Sequence, residues 1–379
     1  MSAQKSRLTW FDANRVFAAI GVVLIHSTTD FSGNPFPAAE TGQRVFPVLL
    51  RSLGEFSGSE MFFLFSLFLM SMRIDRKLPT YREAIGTQAS RLLVPFVVWT
   101  IFYAFFRLAK ANAFGYESYI ADQLTSVSSW VSYFLLGKSQ YHMHFLPTLF
   151  LIFLFYPIMR IATRFPAMGI AVFVTLGAMN ATQGYIYTLD ISPLAKDYIV
   201  RVIKVFGYVG YGFTAFALYG IWRDGLPRGE SKLIWRGSLY FAAMAYIATL
   251  PFFISAIQSG DWSFRTGWVY YGHFLMPIFM FGLFLGAQFK DWSPIWSKYS
   301  KYTFGVYLLH PFVIDMFDIF MKLSGLYQNI SPAVLVGSRF AIVLPATVIL
   351  TIAISKIKFT SWTIGLGPAP WKWNKKVGG

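Results

Sequence analysis

The sequence contains no cysteine, which excludes disulfides, a thiol nucleophile and cysteine-based metal sites. Charged residues are also scarce, at 13% of the positions, whereas hydrophobic residues account for 55%. The apolar residues form long continuous runs instead of alternating with polar ones, a pattern that argues against a β-barrel. The chain is therefore predicted to be an all-α membrane protein that crosses the bilayer several times.

Ten hydrophobic segments of the chain are predicted to be transmembrane helices. They lie near 11–29, 54–73, 91–109, 145–163, 168–187, 200–222, 236–257, 265–287, 302–323 and 331–355. No low-complexity tract, linker or repeat separates them, so we predict one integral-membrane domain over residues 1–379. The turn-rich stretch 30–45 is interpreted as an outer loop, and the long connection 110–144 could form an interfacial helix.

The formal net charge of +16 comes mainly from basic residues in short loops, so a nucleic-acid partner is not expected. With the N-terminus inside, the inner loops hold the denser basic clusters, among them Arg73, Arg76 and Lys77. Because ten spans return the chain to its starting side, both termini are predicted to be cytoplasmic. The stretch 371–376 is interpreted as an interfacial anchor, and the first segment as a retained helix rather than a cleaved signal peptide.

The first hydrophobic segment carries three ionisable residues, Asp12, Arg15 and His26. Arg15 and His26 are separated by close to three helical turns, so both side chains are expected on one face, about 16 Å apart. Ionisable groups within a membrane helix are costly and are usually functional. The alternative is that Asp12 and Arg15 lie at the headgroups as topology anchors. His26 lies deeper in the segment, where a histidine can act as a general base.

The remaining four histidines are His142, His144, His273 and His310. The predicted topology places the first three, like His26, in the outer half of the membrane and His310 nearer the inside. His142 and His144 could bind a metal, but no pair of carboxylates lies nearby in the sequence, so a metal site is not expected. A purely structural role is the alternative for His273 and His310, and also for His26.

Three acidic residues also fall within predicted helices: Glu60, Asp315 and Asp318. Asp315 and Asp318 are one helical turn apart and could share a proton or accept a hydrogen bond from a substrate hydroxyl. The alternative for this pair is solvation near the outer mouth of the helix. Since a proton-coupled transporter uses such residues too, a secondary transporter or flippase is a second interpretation, although no inverted repeat supports it.

Five short patterns follow one another along the chain. They are Asp12 with Arg15 and His26, then Met61-Phe-Phe-Leu-Phe-Ser66, Arg91-Leu-Leu-Val-Pro95, Tyr141-His142-Met-His144-Phe145-Leu146-Pro147, and Tyr307-Leu-Leu-His310-Pro311. In this order they resemble the membrane-bound acyltransferase-3 family, bacterial integral-membrane enzymes that transfer an acyl group, usually acetyl, to cell-surface glycans. The chain departs from the family pattern at Glu60, Leu67, Gln88 and His144.

The resemblance implies an O-acyltransferase of the bacterial inner membrane, most often an O-acetyltransferase, without an appended esterase-like domain. Its donor would be cytoplasmic acyl-CoA, in most members acetyl-CoA. Its acceptor would be a hydroxyl of a cell-surface or periplasmic polysaccharide or of a lipid-linked sugar. Direct transfer and a covalent acyl-histidine intermediate both remain open. A catalytically inactive sensor or assembly partner is a further alternative, against which the intact spacing of Arg15 and His26 argues.

The resemblance also implies roles for individual residues. His26 is expected to be the general base. Arg15, oriented or neutralised by Asp12, and Arg91 are expected to bind the donor. The residues expected to line the acceptor site are Tyr141, His142, His144, Glu60 and His310. No metal is expected to take part.

Overall fold

The structure, a computed structural model, describes residues 8–367, and all regular secondary structure within that range is helical. The all-α prediction is therefore confirmed, while the predicted anchor at 371–376 lies outside the described residues. The α-helices of this range are α1 (Thr9–Ser27), α2 (Thr41–Gly54), α3 (Glu60–Lys77), α4 (Tyr81–Phe114), α5 (Glu117–Thr125), α6 (Val127–Leu136), α7 (Phe145–Phe153), α8 (Tyr156–Met159), α9 (Ala171–Thr188), α10 (Pro193–Arg223), α11 (Arg228–Ser259), α12 (Gly267–Gly286), α13 (Pro294–Ser300), α14 (Thr303–Leu323) and α15 (Pro332–Lys356). Short 3₁₀ helices connect them at Glu55–Ser57, Arg160–Thr163, Pro166–Ile170, Leu326–Gln328 and Ser361–Ile364.

Seven stretches of the described chain are long and apolar enough to cross a membrane, or eight if one bent helix pair counts as a span. The seven are Thr41–Lys77, which joins α2 to α3, and the single helices α4, α10, α11, α12, α14 and α15. A multi-pass membrane protein is therefore supported. Each of the ten predicted segments contains a helix, but α1 and α9 do not belong to this set of long apolar stretches.

The fourth predicted segment, 145–163, is not one straight helix. It divides into α7 and a second stretch, Tyr156–Thr163, that is bent by 62° from it. Pro157 lies in the first turn of that stretch, and a proline there cannot continue the hydrogen-bond ladder of a preceding helix. Its ring would also clash with the carbonyl of Phe153, where α7 ends. Hydropathy therefore predicts one continuous span over 145–163, whereas Pro157 divides this segment into two helical stretches.

The turn-rich stretch 30–45 is only partly a loop, because α2 begins at Thr41. A capping box closes its first turn, in which Glu40 and Gln43 each bond the other's backbone through a side chain. The sequence did not reveal this helix, since its two arginines and its proline interrupt the apolar run. The connection 110–144 contains α5 and α6, so the helix predicted there is present, and its interfacial position stays a prediction.

Helix α1 packs very closely against the end of α2. A Cβ atom added to Gly21 would lie 1.3 Å from the Ser57 hydroxyl oxygen, and one added to Gly54 would lie 2.8 Å from the Ile25 side chain. Glycine at both positions lets the two backbones approach, as small residues do between membrane helices. Because His26 directly follows Ile25, this contact helps to fix the position of the histidine.

Aromatic side chains fill the space between α1, α3 and α12. Trp10 and Phe11 of α1 contact Phe68 of α3 and Phe281 of α12, with ring centroids 5.4 to 6.2 Å apart. Three of these five contacts are edge-to-face, a favoured geometry for aromatic pairs. All four side chains are buried, so the N-terminal half of α1 is anchored in the core.

The C-terminal end of α1 is held by a buried arginine from α15. Arg339 is 1% exposed, and its guanidinium donates hydrogen bonds to the carbonyl oxygens of Ser27 and Thr29 at 3.1 and 2.5 Å. The same guanidinium pairs with the Asp318 carboxylate of α14 at 2.6 Å. The last carbonyl groups of a helix lack partners within it, so a cation there satisfies them. Arg339 thus joins three helices directly beyond His26.

Replacing Gly21 with alanine is expected to destabilise the protein by about 1–3 kcal/mol, because the added methyl group overlaps Ser57. Thermal unfolding in neutral detergent measures this as a lower Tm. Gly237 of α11 offers a matched control, since a Cβ there meets nothing within 4 Å. Gly237→Ala is expected to leave the Tm unchanged or raise it. A Tm of Gly21→Ala equal to that of the wild type would contradict the close packing of α1 on α2.

Replacing Arg339 with methionine is expected to cost about 3–5 kcal/mol, because it leaves the buried Asp318 carboxylate with only the more distant Lys110 and strands the carbonyl groups at the end of α1. Adding Asp318→Asn to this variant should recover part of the loss, since the stranded charge is removed. Thermal unfolding of both single variants and the double variant measures the coupling. If the loss of stability in the double variant equals the sum of the losses in the two single variants, the two side chains do not interact.

Candidate active site

A cavity of about 560 Å³ opens beside the C-terminal end of α1. We call it the histidine cavity. Its lining residues are His26, Thr29, Asp30, Phe31, Ser32, Gly33, Arg51, Arg107, Lys110, Tyr116, Gln140, Tyr141, Ile314, Asp315, Asp318 and Arg339. They come from α1 and the loop after it, α2, α4, the loops beside α5 and α7, α14 and α15. The cavity therefore combines aromatic, acidic and basic side chains from distant parts of the sequence.

His26 lines this cavity and is surrounded by other rings. Its imidazole centroid lies 4.4 Å from that of Tyr141 and 5.3 Å from that of His310. His142 packs against His310 in turn, at 5.5 Å. The structure thus brings Tyr141, His142 and His310 together around His26, although only Tyr141 of these three lines the cavity.

His310 lies at the same level as His26, whereas the predicted topology placed it nearer the inside. The difference arises because α1 ends at Ser27, directly after His26, while α14 continues to Leu323. A position one third along α14 therefore meets the end of α1. Helices α1 and α14 have similar lengths, 19 and 21 residues, but they are shifted along their axes, so depth within a segment does not give depth within the bundle.

Two of these imidazoles carry ring nitrogens without protein partners. His310 Nδ1 lies 2.8 Å from the carbonyl oxygen of Tyr307, which can only accept, so Nδ1 is the donor and Nε2 of the neutral ring is an acceptor. In the described chain Nε2 of His310 and both ring nitrogens of His142 are buried without a hydrogen bond. Across residues 8–367, no group of three or more His, Asp or Glu residues is arranged to hold a metal ion.

Two aspartates form one wall of the histidine cavity. Asp315 and Asp318 are each 1% exposed, which argues against the alternative that they are solvated at an outer mouth. Lys110 of α4 lies 2.6 Å from the Asp315 carboxylate and 3.8 Å from that of Asp318. Gln140 donates to Asp315 at 2.9 Å, and Arg339 neutralises Asp318. This wall is therefore a network of compensated charges.

A second charged cluster, which sequence reasoning missed, supports the other side of His26. Arg51 lines the cavity and donates to the carbonyl oxygen of Ile25 at 3.0 Å. Glu55 lies 3.5 Å from Arg51, 3.4 Å from Arg265 and 2.8 Å from the His273 ring. His273 therefore has a structural partner in Glu55 and does not line the cavity. The four-residue spacing of Arg51 and Glu55 was the available signal in the sequence.

A second cavity, of about 370 Å³, lies at the other end of α1. We call it the arginine cavity. Its lining residues are Arg15, Ser66, Leu69, Met70, Arg73, Gln88, Arg91, Leu92, Phe153, Lys301, Phe304, Ile364, Gly365 and Leu366. The structure therefore brings together Arg15 and Arg91, the two residues expected to bind the donor. Arg73 and Lys301 also line it, so the cavity is rich in cations.

Arg15 and Asp12 each contact the segment that contains α13 and the start of α14. Arg15 donates a hydrogen bond to the Thr303 hydroxyl at 3.1 Å. The buried Asp12 carboxylate accepts hydrogen bonds from Ser297 at 2.7 Å and Ser300 at 2.6 Å. Carboxylates bind hydroxyl donors strongly, so Asp12 fixes α13 against α1 at the arginine cavity.

Three helices, α1, α4 and α14, line both cavities and run in the same direction between them. No lining residue is shared, and the intervening turns of α4 and α14 carry two buried tyrosines. Tyr103 donates to the carbonyl of Leu308 at 2.6 Å, and Tyr307 donates to that of His142 at 2.5 Å. We call Tyr103, Tyr307, His142 and His310 the tyrosine layer. It separates the two cavities.

Two residues expected at the acceptor site lie elsewhere. The buried Glu60 carboxylate contacts the hydroxyl groups of Ser59 at 3.2 Å and Tyr208 at 3.5 Å. His144 precedes α7, and its carbonyl accepts a hydrogen bond from Arg201. Neither side chain lines the histidine cavity, so their predicted contact with an acceptor gains no support from the cavity's shape.

Comparison with known proteins places this architecture in a family. A family model for an acyltransferase domain matches residues 8–356, which include nearly all residues that line the two cavities. Comparisons with curated proteins and with solved structures gave no match. Because the match covers most of the chain, the protein belongs to the acyltransferase-3 family of membrane acyltransferases.

Proposed function

We propose that the protein is an O-acetyltransferase that moves an acetyl group from acetyl-CoA to a hydroxyl of a cell-surface or periplasmic polysaccharide. Family membership supports acyl transfer in general. One observation carries the finer proposal: a cation-rich cavity and a histidine-containing cavity lie at opposite ends of the same three helices. This arrangement suits a donor that binds at one end and an acceptor that binds at the other.

The arginine cavity is the proposed donor site. Arg15, Arg73, Arg91 and Lys301 line it, and the phosphate groups of acyl-CoA are the anions that such a set binds. Guanidinium groups bind phosphate through two parallel hydrogen bonds, which gives direction as well as attraction. Asp12 contributes indirectly, by fixing α13 beside Lys301.

His26 is the proposed general base. A ring nitrogen removes the proton of the acceptor hydroxyl while the oxygen attacks the thioester carbonyl carbon. The tetrahedral intermediate collapses as the C–S bond breaks, and the leaving thiolate takes the proton from His26. The products are an O-acetyl ester and free CoA. In the covalent variant of this scheme the acetyl group rests on His26 between the two steps.

The histidine cavity is the proposed acceptor site. Tyr141, Phe31 and Tyr116 offer aromatic surface to a sugar ring, while the Asp315 carboxylate and the Gln140 amide can bond its hydroxyl groups. The acceptor is a polysaccharide hydroxyl or a lipid-linked sugar. His310 packs against His26, and His142 packs against His310, but neither lines the histidine cavity. Both are proposed to influence the acceptor only by positioning His26.

The orientation in the membrane follows from the donor. Acetyl-CoA is cytoplasmic, so we place the arginine cavity and both termini on the cytoplasmic side of a bacterial inner membrane, with ten crossings in all. The basic residues Arg73, Arg76 and Lys77 at the end of α3 agree with this orientation. The pantetheine arm then passes through the tyrosine layer, which has to part when the donor binds.

His26→Gln is expected to lower CoA release from acetyl-CoA by about 10²- to 10⁴-fold, because glutamine keeps a polar side chain but cannot accept the proton. The measurement is CoA release by purified protein in nanodiscs, with and without added glycan acceptors. An unchanged Tm of the variant serves as the control for folding. Full activity of the folded variant would refute His26 as the base, and mass spectrometry of trapped wild type tests for an acetyl adduct on His26.

Arg15→Met and Arg91→Met are each expected to raise the KM for acetyl-CoA about tenfold, because each removes a charge-assisted contact to phosphate. Arg76→Met is the matched control: it removes the same charge from an exposed residue that does not line the cavity. If Arg15 and Arg91 are topology anchors instead, their variants will insert poorly but keep a normal KM. A transporter without acyl transfer would release no CoA in any of these proteins.

A further inference from the structure

A third cavity, small and polar, lies between the ends of α3 and α10. Its volume is about 70 Å³, enough for one compact polar group. Its lining residues are Ser71, Ile74, Asp75, Arg160, Thr163, Arg164, Phe216, Tyr219 and Arg223. We call it the α3–α10 cavity. It shares no residue with the histidine cavity or the arginine cavity.

The three arginines of this cavity are unequally compensated. Arg223 lies 3.5 Å from the Asp75 carboxylate and 2.8 Å from that of Asp224. Asp75 also accepts a hydrogen bond from the Tyr219 hydroxyl at 2.9 Å. Arg160 and Arg164, by contrast, form no ion pair within the described residues. The cavity therefore carries an excess of positive charge, located on the 3₁₀ turn at its edge.

A buried hydroxyl in the cavity also lacks a partner. Thr163 is 6% exposed, and its Oγ1 makes no hydrogen bond in the described part of the chain. Buried polar atoms are nearly always bonded, so this hydroxyl is a donor that a ligand or a water entering beside it could use. The turn that carries it is rigidly placed, because a Cβ on Gly220 would lie 2.4 Å from the Thr163 carbonyl oxygen.

We propose that the α3–α10 cavity binds a phosphate group, held by Arg160, Arg164 and the hydroxyl of Thr163. Guanidinium groups supply the charge and the paired donors that phosphate oxygens prefer, and the threonine hydroxyl supplies one further donor. Exposed helix-end arginines such as Arg160 and Arg164 are often only topology signals, but such signals do not require a polar cavity or an unpaired buried hydroxyl beside them. Basic pockets between membrane helices commonly receive the headgroups of anionic lipids.

Two sources supply such a phosphate: the headgroup of an anionic phospholipid and free inorganic phosphate. The test uses delipidated full-length protein in neutral detergent and three probes: phosphatidylglycerol, diacylglycerol with the same acyl chains, and inorganic phosphate at matched ionic strength. Native mass spectrometry gives lipid affinity, and the rise in Tm gives phosphate affinity. If phosphatidylglycerol binds and inorganic phosphate does not raise the Tm, the cavity is a lipid site. If inorganic phosphate raises the Tm, the ligand is soluble.

The double variant Arg160→Gln/Arg164→Gln is expected to weaken binding of the effective probe about tenfold or more. Lys232→Gln/Arg236→Gln is the matched control. It removes two exposed cations with the same four-residue spacing from α11, at the same end of the bundle, and should bind like wild type. Equal weakening in both double variants would overturn the proposal in favour of diffuse surface attraction. Equal binding by wild type and the Arg160/Arg164 variant would overturn it as well.

Thr163→Val tests whether the ligand enters the cavity itself. It removes the hydroxyl while keeping the shape of the side chain, and it is expected to weaken binding about threefold to tenfold. If the arginine variant loses binding but Thr163→Val does not, the phosphate lies outside the cavity and the assignment fails. CoA release should stay normal in all these variants, because none of the changed residues lines the donor or acceptor cavity.

Discussion

The ion pair between Arg339 and Asp318 is the contact on which the candidate active site depends. Arg339 satisfies the carbonyl groups at the end of α1, and a cation buried there needs an anion nearby. Asp318 supplies that anion, and Lys110 then bridges it to Asp315, one helical turn away. Charges buried in an apolar bundle must be compensated. The ion pairs that compensate them join α15, α14 and α4 and form one wall of the histidine cavity.

Helix α1 is fixed along its whole length, which makes it a rigid spacer between the two cavities. Trp10 and Phe11 anchor its first turn among aromatic rings, and Asp12 holds α13 against it. Gly21 brings it against α2, and Arg339 holds its end. Site residues placed on a rigid element keep their separation. Such a spacer would hold the proposed donor site and the proposed base about 16 Å apart.

The sequence predicts what lies on one helix better than what meets between helices. The spacing of Arg15 and His26 follows from helical geometry, and both residues line cavities at opposite ends of α1. Nothing comparable in the sequence indicates that Arg339 holds the end of α1 or that Arg73 lines the arginine cavity. The residues that surround each of them in space are distant in sequence. The bend at Pro157 was readable in principle, since a proline inside a hydrophobic segment interrupts its hydrogen bonds.

The tyrosine layer lies between the two cavities, and its hydrogen bonds are weak beside the free energy that a bound donor would supply. Its two described hydrogen bonds, from Tyr103 to Leu308 and from Tyr307 to His142, are each worth about 0.5–1.5 kcal/mol net. A donor that binds with micromolar affinity gains about 8 kcal/mol. Even a modest share of that gain exceeds the loss of both bonds. Loss of these two hydrogen bonds would therefore not prevent a donor from passing the layer in the proposed acyl transfer.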